Sequence, residues 1–550
     1  MRKRILSRAW DAPARARAAW HMGTSTGSIW DLRPRGLYEM AKSLNREFQN
    51  PGAIYAIHAK NQPERVALRF RGRSVTYGEL DDRLDRLASG LVARGLERKQ
   101  SVLVMMKNRP EFVEIGAAAG RAGAAAVSVS WRSTPNELAY LANNSGARFI
   151  FFDHELWPTI DHARASIHVP NERLVAIGGD VPGVARYEDL LSATKRTFEG
   201  DDEAAAVVTY TSGTTGKPKG AVRKFPREMF VQILEFIART PIKSTDVHLC
   251  VCPLYHMTAF AFFTMTHVVG GTVVIADEFK PESFLELVEH ERVTTTAMVP
   301  TMLQRLLTHG TDAIRAHRTR SLRAIFCGGA QLPAQLAIDA MDVLGDVVFN
   351  FYGATELGIV TLASPADLRA APGTIGPAVF GNDILLLDDE KNPVKPGGVG
   401  ELFVKNAMLV AGYHGNDAAM RESMHAGYFS VGDLARRDED GRYFIEGRKR
   451  DMVISGGVNV YPAEVEGAIE AHPQVLEAAV VGVPDPEWGE RVKAFVVARA
   501  GERIDEGELK QFLRERIAGP KVPREYAFID ALPRNPTGKV LKNDLRARVQ

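Results

Sequence analysis

The sequence predicts an α/β protein with a large, multi-layered amino-terminal domain of β-sheets and helices and a small α+β carboxyl-terminal domain. Short apolar runs alternate with segments of helical spacing, which favours helices layered on partly parallel sheet. The 550 residues exceed what one hydrophobic core usually holds. Near residue 449 a charged, glycine-rich connector changes the pattern. We therefore expect a basic extension over residues 1–50, the large domain over 51–449 and the small domain over 450–550.

Residues 66–106 show the alternation in detail. The run VALRFRGRSVTY predicts two short strands joined by a tight Arg-Gly turn. Thr76 and Glu79 form a capping box, so a helix should begin there, and leucines at helical spacing continue it towards Gly95. The SVLVMM run that follows predicts the next strand.

The segment MTAFAFFTMTHVVGGTVVIA, residues 257–276, is long enough to cross a bilayer. Threonines and His267 interrupt it, and Gly270-Gly271 would break a helix. The β-branched TVVIA that follows is typical of a strand. We therefore predict a buried helix, a turn and a strand rather than a membrane span.

The carboxyl-terminal hundred residues contain both kinds of element. EVEGAIEAH predicts a helix, and EGELKQFLRERIAG predicts an amphipathic helix that ends at Gly519. VLEAAVVGV and VKAFVVA predict strands. This mixture is the basis for the predicted α+β module.

Composition and charge exclude several classes of protein. With 45% apolar and 25% charged residues, the chain matches an ordinary globular protein. The net charge of +2 gives no general reason to expect nucleic-acid binding. Cys250, Cys252 and Cys327 form neither an even disulfide framework nor paired metal-ligand spacing, so we expect a reduced, cytoplasmic setting.

The amino terminus is locally basic, with Arg2, Lys3, Arg4, Arg8, Arg15 and Arg17 against Asp11. It lacks the apolar core of a secretory signal. A solvated tail is the expectation, and a weak peripheral contact with a membrane surface is the alternative.

The stretch VVTYTSGTTGKPKGAV, residues 207–222, predicts a strand that leads into a polar loop. Glycine and proline are so dense from Thr211 to Gly220 that we expect no strand there. Backbone N–H groups of a glycine-rich loop can approach an anion closely, while hydroxyls and the charges of Lys217 and Lys219 add to the attraction. The spacing is not that of a Walker loop, because two residues rather than four separate the central glycines. Polyphosphate is the predicted ligand, and a surface linker is the alternative for this segment taken alone.

Six further motifs follow in order: PLYH (253–256), FYGATE (351–356), VGELFVKN (399–406), YFSVGDLA (428–435), EGRKRDMVISGGVNVYP (446–462) and PRNPTGKVLK (533–542). Together with TYTSGTTGKPKG, they resemble the adenylate-forming superfamily of acyl-CoA synthetases, luciferases and peptide-synthetase adenylation domains. The resemblance runs from about residue 50 to the carboxyl terminus. It implies an active site between the two domains and two half-reactions. A carboxylate first attacks the α-phosphate of MgATP to give an acyl-adenylate and pyrophosphate, and the thiol of coenzyme A then displaces AMP.

The resemblance also implies where the phosphates and the metal bind. Thr355 would touch the α-phosphate, and Glu356 would hold Mg²⁺, which prefers carboxylate and phosphate oxygens. The β- and γ-phosphates would be held by Thr211, Ser212, Gly213, Thr214, Thr215, Gly216, Lys217 and Lys219.

By the same resemblance, Tyr352 would stack on adenine, and Asp433 would accept hydrogen bonds from the ribose hydroxyls with support from Arg448. The backbone of Gly328, Gly329 and Ala330 would lie along the adenine ring, because residues without large side chains allow a close approach.

Catalytic and acyl-side roles follow in the same way. Lys539 would approach the reacting carboxylate and offset its negative charge, and His256 would help to position the acid. Arg450 would be the hinge about which the small domain turns, bringing residues to the pantetheine tunnel, namely Ser455, Gly456 and Gly457. The family usually has Asp or Lys at the hinge and VVLSH where this chain has AVRKFP, so both places depart from its pattern.

Several alternatives stay open at this point. GTSTG at 23–27 matches the nucleophile elbow of hydrolases, but no buried strand precedes it, so we treat the match as a coincidence. A non-enzymatic acyl or AMP sensor is the second rival. Within the superfamily, Met257 after PLYH disfavours an amino-acid substrate, whereas a fatty acyl-AMP ligase that loads a carrier protein stays open. A homodimer is compatible with the sequence.

The expected acid is a medium- or long-chain fatty acid, with an aryl or short branched acid as the alternative. Phe260 lies where fatty-acid members can have an aromatic gate. An apolar tunnel could be lined by Phe262, Phe263, Met298, Val299 and Met302.

Overall fold

A computed structural model describes residues 12–44, 52–196, 198, 206–211, 219–413, 417–455, 458–485, 488–534 and 540–548. Its α-helices are α1 (Ala12–Thr26), α2 (Pro34–Leu44), α3 (Ala53–Asn61), α4 (Tyr77–Ala93), α5 (Pro110–Arg121), α6 (Pro135–Asn144), α7 (Trp157–Ala163), α8 (Tyr187–Leu191), α9 (Arg227–Ala238), α10 (Met257–Val268), α11 (Pro281–His290), α12 (Pro300–Thr308), α13 (Thr311–Ala316), α14 (Ala334–Leu344), α15 (Pro365–Ala370), α16 (Asp417–Glu422), α17 (Pro462–Glu470), α18 (Glu506–Arg514) and α19 (Lys542–Ala547).

Its strands are β1 (Val66–Phe70), β2 (Arg73–Thr76), β3 (Ser101–Met105), β4 (Ala125–Val129), β5 (Ala147–Asp153), β6 (Leu174–Ile177), β7 (Ala185–Arg186), β8 (Ala206–Thr211), β9 (Lys219–Arg223), β10 (Val247–Cys250), β11 (Thr272–Ile275), β12 (Thr295–Met298), β13 (Ala324–Cys327), β14 (Val348–Ala354), β15 (Gly358–Ala363), β16 (Asp383–Leu387), β17 (Gly400–Lys405), β18 (Gly412–Tyr413), β19 (Met424–His425), β20 (Tyr428–Phe429), β21 (Asp433–Arg437), β22 (Tyr443–Arg448), β23 (Val453–Ser455), β24 (Val458–Val460), β25 (Val475–Asp485), β26 (Gly489–Ala498) and β27 (Glu525–Phe528). The predicted α/β class is confirmed.

The chain divides into two compact units. The first unit comprises Met1–Ala297, His317–Ala324 and Ala407–Glu422. The second unit comprises Met298–Ala316, Ile325–Asn406 and Ser423–Gln550. The domain boundary expected near Lys449 stays a prediction.

The first unit is built on largely parallel strands. One sheet has the order β18-β9-β8-β4-β3-β5-β6-β7 and is parallel from β8 to β7. A second set of strands runs β12-β10-β11-β1-β2, of which β2 alone is antiparallel to its neighbour. Apolar side chains of β3, β4 and β5, such as Leu103, Val127 and Phe152, are fully buried against helices, as expected for strands covered on both faces.

Local chemistry explains the predicted elements of this unit. Thr76 caps α4 by accepting a hydrogen bond from the Glu79 N–H while the Glu79 carboxylate accepts from the Thr76 N–H, which confirms the predicted capping box. The apolar segment at 257–276 forms α10 and β11, as predicted. Within the part of the chain that the structure describes, none of the helices combines the length and apolar character of a bilayer-crossing segment.

The basic amino terminus is not a solvated tail where the structure describes it. Residues 12–26 form α1, which buries Ala14, Ala18 and Met22 at a spacing of four residues. The Thr26 carbonyl accepts a hydrogen bond from the Ser244 N–H at 2.9 Å. The expected tail is wrong for this segment, because one side of the helix is small and apolar enough to pack. The GTSTG run falls at the end of α1 rather than after a strand, so it is not a nucleophile elbow.

The second unit contains antiparallel sheet around a short parallel pair. Strand β13 is parallel to β14, and β14 is antiparallel to β15. A separate antiparallel sheet has the order β19-β20-β17-β21-β22, with β16 also paired to β17. This sheet sets the register that places Asp433 opposite Arg448.

The last part of the second unit is the predicted α+β module. The long pair β25 and β26 forms its centre, with β23, β24 and β27 beside it. Helices α17 and α18 supply Val465, Ile469 and Leu509 to the core on this sheet. Helix α18 ends at Arg514 rather than at Gly519, where the Arg516 N–H donates to the Leu513 carbonyl three residues before it and the last turn tightens. The predicted end of this helix was therefore wrong.

Candidate active site

Three polar side chains of the second unit form a connected group. Asp433 and Arg448 face each other as paired residues of β21 and β22. The Arg448 Nε lies 3.2 Å from Asp433 Oδ1, and the Tyr352 hydroxyl donates to Asp433 Oδ2 at 2.7 Å. Asp433 is buried, with 7% of the residue exposed. Within the described part of the chain, each oxygen of Asp433 thus has one partner and keeps a further lone pair that a ligand hydroxyl could use.

Tyr352 is a permanent donor in this group. Burial raises the pKa of its phenol well above 10, and the Asp433 carboxylate raises it further. The negative charge of the Glu356 carboxylate acts on this pKa in the same direction. The hydroxyl therefore stays protonated over the range in which enzymes are assayed.

Gly328 allows two segments of backbone to approach closely. A Cβ at this position would lie 2.5 Å from the Phe351 ring and 2.7 Å from the Phe351 carbonyl oxygen, so any larger residue would push the segments apart. Gly329 follows with a φ of 80°, in the left-handed region. The segment of Gly328, Gly329 and Ala330 therefore lies against β14, the strand that bears Tyr352.

Thr355 and Glu356 lie in the turn that joins β14 to β15, and both are half-buried. Among the described residues, no three His, Cys, Asp or Glu side chains are grouped as a metal site. A magnesium ion held by one carboxylate together with ATP phosphates needs no such group. Glu356, half-buried in this turn beside Thr355, stays the carboxylate that the motif predicts as the Mg²⁺ ligand.

The predicted phosphate loop is carried by a hairpin of the first unit. Strands β8 and β9 pair in antiparallel fashion, with Thr211 opposite Lys219. The strands thus extend into Thr211, Lys219 and Gly220, where we expected loop, because each gains backbone hydrogen bonds from its partner strand. The residues between them lie outside the described residues, namely Ser212, Gly213, Thr214, Thr215, Gly216 and Lys217.

His256 stands at the start of α10 in the first unit, where its N–H donates to the Pro253 carbonyl at 2.9 Å. Burial lowers the pKa of its imidazole to about 4, so the ring is neutral at pH 7. Its Nε2 is buried and has no hydrogen-bond partner among the residues that the structure describes. A buried polar atom of this kind calls for a partner, which a ligand can supply.

Asn108 holds the PLYH segment in place, and sequence reasoning missed it. Its amide donates to the carbonyls of Cys252 and Ala276, each at 3.1 Å, and its Oδ1 accepts from the Leu254 N–H at 2.8 Å. The side chain is buried, so these three bonds leave only one lone pair of the amide unused. Its position three residues after the end of the buried strand β3 was the available signal.

An apolar cavity lies within the first unit, between α5 and α10. Phe260 and Phe263 line it from α10, and Phe112, Gly116 and Gly120 line it from α5. Its described lining has hydroxyls from Tyr55, Ser128 and Thr264 and no charged side chain. The other predicted tunnel residues, Phe262, Met298, Val299 and Met302, are not among the described lining residues.

The predicted hinge residue Arg450 is exposed in a short 3₁₀ turn, Lys449–Asp451. Its two neighbours are anchored within the second unit. Lys449 Nζ lies 2.7 Å from Asp389 Oδ1, and Asp451 Oδ1 lies 3.0 Å from Arg546 Nη2. Ser455 is buried at the end of β23, whereas Gly456, Gly457 and Lys539 lie outside the described residues. The roles predicted for these residues stay predictions.

Comparison with known proteins adds independent findings. The model for "AMP-binding enzyme" matches residues 55–414, and that for "AMP-binding enzyme C-terminal domain" matches residues 464–539. The chain is 36% identical over 505 residues to a feruloyl-CoA synthase of an Amycolatopsis species, which covers 91% of this chain and 99% of that protein. It is 32% identical to a fatty acid–[acyl-carrier-protein] ligase of Streptomyces coeruleorubidus, with coverage of 90% and 96%.

A solved structure gives a similar result. The o-succinylbenzoate CoA synthetase of Bacillus subtilis, in complex with its acyl-adenylate intermediate, superimposes with a TM-score of 0.78 at 28% identity. The match covers 90% of this chain and 97% of that one.

Proposed function

The chain belongs to the AMP-binding enzyme family of adenylate-forming ligases, and from this premise we propose that it joins a monocarboxylic acid with an apolar body to the thiol of coenzyme A. The protein is an AMP-forming ligase of the acid–thiol class, whose members use ATP, Mg²⁺ and coenzyme A. Adenylation is chemically necessary, because a free carboxylate would have to expel oxide, whereas the mixed anhydride expels AMP. The acid, the acceptor and the role of each residue belong to the proposal.

The observation that supports the substrate proposal most directly is the cavity between α5 and α10. Its described lining offers no charged group to pair with an amine or a second carboxylate. Burying such a charge without a partner would be strongly unfavourable. Amino acids and dicarboxylates are therefore disfavoured, and the lining favours an acid with an apolar ring or chain.

We favour an aromatic acid with a short side chain, of the kind that the name feruloyl-CoA synthase describes for two relatives that are 36% identical to this chain. A medium- or long-chain fatty acid is the second candidate. The fatty acid ligase of Streptomyces and the phenylalanine-rich lining of the cavity favour it. The expectation of a fatty acid drawn from sequence alone is thus neither excluded nor preferred.

Chain residues have separable tasks in this scheme. Asp433 accepts hydrogen bonds from the ribose hydroxyls. Its carboxylate is held in orientation by the Tyr352 hydroxyl and the Arg448 guanidinium. Glu356 holds Mg²⁺ against the phosphates, and Thr355 contacts the α-phosphate. Neutral His256 directs its unpaired Nε2 to the acid, and Lys539 offsets charge as carboxylate and phosphate approach. Magnesium supplies charge neutralisation of the phosphates when bound.

Pyrophosphate release with MgATP across a panel of acids tests the proposal. The panel contains ferulate, indoleacetate, decanoate, palmitate, succinylbenzoate and several amino acids, each with and without coenzyme A. We expect release with an aromatic or fatty monocarboxylate and a thioester only when coenzyme A is present. Thioester formation on an acyl carrier protein instead would contradict the proposed acceptor.

Two variants accompany the panel. Lys539→Ala should lose pyrophosphate release, whereas Lys395→Ala removes an exposed lysine of the second unit and should retain it. Binding of ATP with no release for any acid would contradict the proposed substrates and favour a nucleotide sensor.

A further inference from the structure

Large apolar side chains are unusually exposed in the amino-terminal segment. Trp20, Trp30, Leu37 and Tyr38 are exposed to 66%, 87%, 42% and 68%. The other large apolar side chains that are exposed in the described residues lie after residue 420, and none is more than 50% exposed. An accumulation of this kind in 19 residues indicates an interaction surface.

Helix α2 turns its apolar side to solvent. Its exposed positions include Pro34, Leu37, Tyr38 and Ala41, which recur at three- and four-residue spacing and so share one side. Gly36 is buried on the other side, where a Cβ would lie 1.8 Å from Asn61 Oδ1. A surface helix normally buries its apolar side, so this orientation is the reverse of the ordinary one.

The segment is held firmly in this orientation. Asn61 Oδ1 accepts a hydrogen bond from the Arg33 N–H at 2.9 Å, and Lys243 Nζ donates to the Ser25 carbonyl at 2.5 Å. The packed side of α1 adds buried apolar contact. The exposed rings are therefore presented by a fixed support, and their exposure does not result from an unpacked tail.

The charge of the segment is opposite to that of the rest of the chain. Residues 12–44 contain five basic and two acidic residues, a net charge of +3, whereas the whole chain has +2 and the remainder therefore −1. Arg17 lies one turn from Trp20 and Lys42 lies one turn from Tyr38, and both are exposed. Asp31, beside Trp30, is paired with Arg65 at 3.3 Å.

We propose that residues 12–44 form a docking surface for an anionic lipid bilayer, the amino-terminal surface. Trp and Tyr rings favour the boundary between headgroups and acyl chains, because each has an apolar body and a polar N–H or O–H. Neighbouring Arg and Lys side chains are attracted to anionic headgroups, and the two effects together give reversible binding. A second copy of this chain suits the surface less well, since a symmetric contact would place like charges together.

The surface lies outside the part of the chain that matches the family models, which begins at residue 55. Binding to lipid can therefore be measured without reference to the proposed acid. Loss of lipid binding and loss of catalysis are separate results.

Flotation of the full-length protein with vesicles tests the proposal. We expect binding to phosphatidylcholine vesicles that contain phosphatidylglycerol, little binding to phosphatidylcholine alone, and release at high salt, because salt screens the attraction. Trp30→Ala combined with Tyr38→Ala should weaken binding by at least roughly tenfold, since both apolar contacts are removed. Arg33→Glu combined with Arg35→Glu should abolish the preference for anionic lipid.

Phe528→Ala is the matched control, because it removes another exposed aromatic ring in the second unit. It should bind vesicles like the wild type, and all variants should keep the wild-type melting temperature. Equal weakening by the control and by the aromatic pair would overturn the proposal. The proposal would also be overturned if the wild-type protein bound neither kind of vesicle but eluted as a dimer, and if Trp30→Ala dissociated that dimer. The surface would then bind a second copy of the chain.

Discussion

Replacing Asp433 with asparagine should weaken AMP binding without unfolding the protein. The substitution keeps the shape of the side chain but removes its charge and converts one acceptor oxygen into a donor. In the present structure Oδ2 accepts from Tyr352 at 2.7 Å and Oδ1 lies 3.2 Å from the Arg448 Nε. An amide can satisfy only one of these two donors, so the side chain also loses its fixed orientation.

The size of the effect follows from the bonds available to the ligand. A hydrogen bond to a charged group contributes about 1.5–3 kcal/mol, and each 1.4 kcal/mol is a factor of ten in affinity. Losing the charge should therefore raise the dissociation constant of AMP roughly 10- to 150-fold. Tyr352→Phe should cost less, on the order of fivefold, because it removes a neutral donor that only orients the carboxylate.

Isothermal titration calorimetry with AMP measures this dissociation constant without knowledge of the acid. Asp438→Asn is the matched control, because Asp438 also accepts through both oxygens, from the Arg442 N–H and Nε at 2.8 Å each. The control should bind AMP like the wild type. Wild-type affinity in Asp433→Asn at an unchanged melting temperature would show that Asp433 is not part of the nucleotide site.

Three further results are expected. Lys539→Ala should slow acyl-adenylate formation by at least roughly a hundredfold, because a preorganised positive charge is lost. The thioester should still form from purified acyl-adenylate and coenzyme A. Equal loss of both steps would contradict a role of Lys539 in adenylation alone. Arg450→Pro should slow thioester formation and spare acyl-adenylate formation, because proline fixes the backbone at the proposed hinge. Unchanged thioester formation would contradict a hinge at this residue. Acid should destabilise the first unit, because burial lowers the pKa of His58 to about 4 and those of His248 and His267 to about 3. Their stabilising effect is complete above the ordinary value of 6.5 and is lost as the pH falls towards the folded-state pKa, by about 2 kcal/mol for each residue between pH 6.5 and about pH 5. Thermal melting against pH should therefore show a shallower acid dependence for His267→Gln, and an unchanged slope would contradict this origin.

Elements with local causes could be predicted from sequence. The Thr76 capping box and the helix–turn–strand at 257–276 depend on neighbours in the chain, so their patterns were sufficient. The ends of β8 and β9 were missed because the hydrogen bonds that extend them come from the partner strand. Alanines at positions 14 and 18, followed by Met22, did indicate a packed side of α1, but the basic residues between them obscured the pattern.

The candidate site divides in the same way. Its motifs predicted Tyr352, Asp433 and Arg448 as site residues. The contacts that join the three side chains could be seen only in the folded structure. The cavity illustrates the limit, since α5 contributes Gly116 and Gly120 from a segment with no chemical motif. Which side of a helix meets an empty space depends on the packing of other elements, and periodicity alone does not contain that information.

The packing of α1 has a practical consequence for anyone who produces this protein. A truncated version that begins at residue 55, where the family match begins, would look like a natural minimal enzyme. It would nevertheless leave the Ser244 N–H without the Thr26 carbonyl and would remove the Asp31 partner of Arg65. Deleting the segment would therefore expose surface that the segment covers in the full chain. The shortened protein should precipitate more readily than the full chain. Protein made for crystallisation or engineering should therefore retain α1.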